Sequence, residues 1–98
     1  MDAPSHVQLH SELNDRLNAA CIRALSMGGL VDDEAKLLAR FVHLTGPDGL
    51  ARVDLEALST VMALDREIHV VALSLESLGL LRRDESEGGW RPFPEVAQ

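Results

Sequence analysis

Residues 54–93, DLEALSTVMALDREIHVVALSLESLGLLRRDESEGGWRPF, carry two helical periods, a glycine stop and two short strand-like runs in succession. Leu58, Val61 and Met62 fall on one face of a first helix, and Ile68, Val71, Ala72, Leu75 and Leu78 on one face of a second. Asp65 stands between them as an N-cap, a residue whose side-chain oxygen accepts an otherwise unpaired amide, and Gly79 follows as a helix-closing residue of positive φ. Leu80-Leu81-Arg82-Arg83, then Asp84-Glu85-Ser86-Glu87-Gly88-Gly89, then Trp90-Arg91-Pro92-Phe93 read as strand, turn and returning strand.

Upstream of this stretch, Leu50 to Val53 reads as a short strand, and Asp54 is placed to cap the first of the two helices. Gly46-Pro47-Asp48-Gly49 is a turn signal that ends a helix running from Asp33 to about Leu44. That helix buries Leu37, Leu38, Phe41 and Val42. Asp32 caps it, and Asp33 and Glu34 lie in its first turn, where the positive end of the helix dipole favours acids.

The chain begins with a long helix from about His6 to Met27, opened by Ser5 and Gln8 at the spacing of a capping box and closed by Gly28-Gly29. Leu9, Leu13, Leu17, Ala20, Ala24 and Met27 form one stripe on it. Beyond Asn18, Cys21, Ile22 and Leu25 widen the stripe, so the first half is expected to be exposed on one side and the second half nearly enclosed. A domain of this size does not obviously cover Leu9, Leu13 and Leu17, which makes them the expected seam of a homodimer.

From residue 33 onward the order is helix, strand, helix, helix, strand, strand. With Leu58, Leu64, Asp65, Ile68, Leu75 and the Gly79-Leu80-Leu81 triplet, this resembles a winged helix-turn-helix domain over residues 35–93. The resemblance implies a mainly α fold with an extra N-terminal helix and a small β-hairpin wing, in which the strand at Leu50–Val53 pairs with the wing. It identifies a superfamily used both to read DNA and to dock proteins.

Ninety-eight residues bound the chain to a single domain with a modest core, and an apolar content of 46% with only 3% aromatic residues points to aliphatic helices. A formal net charge of −7 disfavours attachment to nucleic acid by bulk charge. No apolar run approaches the ~18 residues of a membrane span. The single cysteine, Cys21, and the lack of a leader pattern lead to the expectation of a reduced, cytoplasmic setting.

Little in the sequence points to catalysis, a metal or a cofactor. His6 and His10 share a helical face but lack a third ligand, and Cys21 sits among Ala and Ile as a small apolar group. Ser59 with His43 or His69 satisfies no hydrolase spacing, and the acids of residues 32–34 and 84–87 read as a helix start and a solvated turn. Two functions of different class remain. In the first, the chain is a small dimeric transcriptional regulator: Arg66 and His69 on the outer face of the second helix meet base edges in double-stranded DNA, and Arg82, Arg83 and Arg91 on the wing grip phosphates. In the second, Val70 and Leu73 form the apolar centre of a protein-docking face that extends to Ser77, with Glu67 and Glu76 beside it.

Overall fold

The computed structural model describes residues 6–96, with side chains described from residue 12 onward. Four helices are followed by a hairpin: α1 (His6–Met27), α2 (Asp32–His43), α3 (Leu55–Val61), α4 (Ile68–Ser77), β1 (Leu81–Asp84) and β2 (Gly89–Pro92). The fold is therefore mainly α with a two-stranded antiparallel sheet.

α2 is the centre of the core. Its buried stripe of Leu37, Leu38, Phe41 and Val42 is the one its periodicity predicts, and α2 packs between α1 on one side and α4 with the hairpin on the other. From α4 come Ile68, Val71, Ala72 and Leu75, all buried at the expected positions. The rings of Phe41 and Trp90 pack at 5.6 Å between centroids, which ties α2 to β2. Trp90 and Phe93 close the end of the core.

The hairpin pairs Leu81 with Pro92, Arg82 with Arg91, Arg83 with Trp90 and Asp84 with Gly89. Asp84 and Gly89 thus belong to the strands and not to the turn. Leu50–Val53 does not form a strand; it contributes one isolated bridge, with the Ala51 amide donating to the Trp90 carbonyl at 2.7 Å and the Trp90 amide returning to Ala51 at 2.9 Å. The close approach explains Gly89: a Cβ there would lie 2.9 Å from the Ala51 carbonyl oxygen and 3.0 Å from Leu50 Cγ.

Several local expectations are corrected. α2 starts one residue earlier than Asp32 as cap requires, with Val31 at the N-cap position and its amide donating to Glu34 Oε1 at 3.0 Å. Asp65 does not cap α4, which begins after Glu67 without a side-chain cap. Asp54 does cap α3, accepting the Glu56 amide at 3.0 Å. Val61 and Leu78 face outward because each lies where its helix ends and the chain turns away from the core, while Leu55, one turn before Leu58, is buried. The second half of α1 is not enclosed: Ile22 is 65% exposed, and Leu25 and Met27 are exposed too, because the covering partner, α2, reaches one side only. The capping box at Ser5 and the side chains of His6, Gln8, Leu9 and His10 lie outside the described residues. No helix among the described residues is long and apolar enough to cross a membrane.

Candidate interaction site

Besides its apolar face, α4 and the turn before it are tied to α2 by two acids. Asp33 is only 4% exposed, and its two carboxylate oxygens accept the amides of Asp65 (3.0 Å) and Arg66 (2.8 Å), the orphan donors of the turn before α4. Glu34, also buried, accepts the Ser74 hydroxyl in the middle of α4 and the Val31 amide at its own helix start. These amide and hydroxyl donors hold both carboxyls below their ordinary pKa: the Asp65 amide contributes most at Asp33, the Ser74 hydroxyl most at Glu34. Two carboxylates read from the sequence as a helix start thus also cross-link α2 to α4 and to the turn before it.

With α4 held this way, His69, Val70, Leu73 and Ser77 are all exposed on its outer side, as their spacing predicts. Leu73 is 62% exposed. Between this side and the hairpin runs an open groove of about 690 Å³. Ala72, Leu73, Leu55 and Trp90 supply its apolar surface; Glu76 and Glu85 put carboxylates on its rim; His69 and Arg83 complete it. The His69 ring nitrogen Nδ1 lies 2.5 Å from Glu67 Oε1, a contact that pulls the Glu67 carboxyl below its ordinary range. Ser77 is turned back on its own helix, donating to the Leu73 carbonyl at 3.0 Å.

The four arginines assigned to DNA are not brought together. Successive residues of a strand point to opposite faces, so Arg83 shares one face of the hairpin with Trp90, whereas Arg82, Asp84 and Arg91 share the other. The Arg83 guanidinium stacks over the Trp90 ring at 4.6 Å. Arg91 is engaged within the fold: Nε donates to Asp84 Oδ2 at 3.0 Å and Nη1 to the Asp48 carbonyl at 3.0 Å. Arg66 has Nε 3.9 Å from Asp33. Among the described residues, Arg82 and Arg83 have no acid partner.

The hairpin tip is ordered, not merely solvated. Asp84 Oδ1 accepts the Ser86 hydroxyl at 2.7 Å and the Glu87 amide at 3.1 Å, and with the Arg91 bond these lower its pKa, the Ser86 bond first. Arg52 bridges Asp48 (2.8 Å) and Glu87 (3.5 Å), joining the turn at residues 46–49 to the tip. Glu76, placed beside the outer face by the phase of α4, does line the groove; sequence reasoning missed Leu55, Glu85 and Trp90, which come from elements whose approach is tertiary.

On α1, Leu17 is fully buried in the chain's own core and Leu13 is half-buried against it, so the described part of the expected dimer stripe faces inward. Cys21 is buried on the same side, and burial pushes its thiol pKa up, which favours the protonated thiol. Among the described residues no three His, Cys, Asp or Glu side chains come together as a metal site. Comparison of the chain with known protein families, with curated proteins and with solved structures finds no match in any of the three.

Proposed function

We propose that residues 35–93 are a winged helix-turn-helix domain, with the hairpin as its wing, and that this chain is a non-enzymatic protein-docking module acting through the α4–hairpin groove. The order of α2, bridge segment, α3, α4 and hairpin supports the fold reading. The exposed Leu73 beside the groove is the observation that carries the docking reading: a solvent-facing aliphatic side chain at the middle of the outer helix face, with Leu55, Ala72 and Trp90 lining the groove beside it, suits an apolar contact with a protein partner better than contacts to base edges. Glu76 and Glu85 on the rim suit a partner segment that carries basic residues around an apolar centre.

Arg82 and Arg83, exposed and without acid partners among the described residues, favour double-stranded DNA as the second reading. Against it, Arg66 and Arg91 are drawn to Asp33 and Asp84, and the tip between the strands is acidic. Self-association through α1 would use Ile22 and Leu25, because Leu17 is taken up by the chain's own core.

Three proteins separate the readings: wild type, Leu73→Ser, and the double variant Arg82→Ala/Arg83→Ala. Each is titrated against duplex DNA from the native host at ~150 mM salt, and against a partner captured from that host, identified and purified. Docking predicts that Leu73→Ser weakens the partner by roughly 1.5 to 3 kcal/mol and that the double variant changes it little. Tight DNA binding by wild type, with a log K against log[salt] slope that flattens by about 0.9 per arginine removed and no effect of Leu73→Ser, overturns it.

A further inference from the structure

A second groove, sharing no lining residue with the first, lies where the outer face of α2 meets the end of α3 and the turn that follows; its volume is about 540 Å³. Its rim carries Lys36, Arg40 and His43, at helical spacings of four and three, and no acidic residue lines it. In a chain with 16 acids to 9 Lys and Arg, a groove that carries Lys36 and Arg40 and no carboxylate is a departure from the composition. No acid pairs with Lys36, Arg40 or His43 among the described residues; the ammonium of Lys36 reaches only the Ala63 carbonyl, at 3.5 Å. The floor is apolar. Val61 is 73% exposed there, beside the half-buried Met62.

The arrangement follows from how α2 is used. Its buried face is consumed by the core and its first turn by the two carboxylates that hold α4, which leaves the last two turns of its outer face with exposed charges of one sign. The end of α3 then supplies an apolar strip next to those charges, because Val61 is the last residue of that helix and is not covered by α4.

We infer that this groove is a second docking site, independent of the α4–hairpin groove, and that its occupant is an acidic amphipathic segment of a partner protein. Carboxylates of such a segment meet Lys36, Arg40 and His43 while its aliphatic side chains cover Val61 and Met62. Phosphate backbone would use the same cations but leave the apolar floor wet, which is why a peptide fits better than nucleic acid.

The test is amide chemical-shift mapping of the full chain with three probes: a helical peptide of Leu and Glu with its apolar residues on one face, a Gly, Ser and Glu peptide of equal charge, and a short DNA duplex. The Leu–Glu peptide is expected to shift amides of residues 36–43 and 61–63, and to bind about tenfold more weakly to Arg40→Glu and to Val61→Ser. The Gly–Ser–Glu peptide is expected to bind at least about tenfold more weakly than the Leu–Glu peptide. Both substitutions are on exposed side chains, and thermal melts of the two variants are expected to match wild type. Shifts confined to α4 and the hairpin, affinity unchanged in both variants, equal binding of the two peptides, or displacement of the Leu–Glu peptide by the duplex at lower concentration each overturn the inference.

Discussion

Replacing Asp33 by Asn keeps the side-chain shape and removes the charge that both turn amides point at. A carboxylate accepts at both oxygens, but an amide side chain can accept at only one and places a donor against the other N–H. The folded-state pKa values of Asp33 and Glu34 are depressed, so the stability they contribute is fully present above their unfolded values of about 4 and is lost as pH falls through the folded values. Melts taken from pH 7 downward are expected to show Asp33→Asn already lower at neutral pH, with a shallower acid slope than wild type. Coincident curves would mean that the turn needs no such cap. Gly79 is a different kind of single-residue determinant: with φ at 76° and nothing within 4 Å of a built Cβ, Gly79→Val should cost roughly 1 to 2 kcal/mol through backbone strain alone. Denaturant titration measures it, and Gly79→Asn, which tolerates that conformation, should recover part of the loss. Gly79 was legible from the sequence because a helix stop is a local event. The task of Asp33 was not, since its partners lie more than thirty positions away and the nearest helix start offered a sufficient local reason for an acid.

At the scale of elements, what could be read was whatever repeats along one helix or strand. The buried stripes of α2 and α4 are phase relations, and they came out residue by residue except at Leu78, where the helix had already ended. The segment at Leu50–Val53 was harder, because a run of four residues can be a strand or merely touch one, and which it is depends on how close the hairpin comes. Gly89 sets that distance. A methyl group there would press on the Ala51 carbonyl and on Leu50, so Gly89→Ala is expected to cost about 1 to 3 kcal/mol by forcing the segment away from β2. Hydrogen exchange should then show loss of protection at the Ala51 and Trp90 amides, the two donors of the bridge, with little change inside α2. Unaltered protection at both amides would mean the hairpin relaxes instead. The faces of the hairpin follow the same logic: alternation along β1 alone separates Arg83 from Arg82, whereas the side that Arg91 shares depends on the register, which pairs it with Arg82.

For the molecule as a whole, the covering of α1 decides which of its apolar side chains are left to solvent. α2 reaches only one side of α1. The side it reaches holds Leu17 and Cys21, with Leu13 and Ala20 beside them, while Ile22 and Leu25 remain outward on the other. Periodicity alone could not make this choice, because past Asn18 the apolar positions run almost round the helix and any direction of approach would have buried some of them. The two sides give opposite expectations on mutation. Leu17→Ala removes a fully buried side chain and should cost about 2 to 5 kcal/mol of folding stability, with no change in sedimentation while the variant stays folded. Ile22→Glu places a charge on a side chain that is already mostly in water and should leave the melting temperature nearly unchanged. If copies of the chain associate through α1, the Ile22 variant is the one that sediments lighter than wild type at tens of micromolar, because a seam must be built from side chains the monomer leaves uncovered. A folded Leu17→Ala protein that loses mass while Ile22→Glu does not would place Leu17 between copies and overturn the packing of α1 against α2.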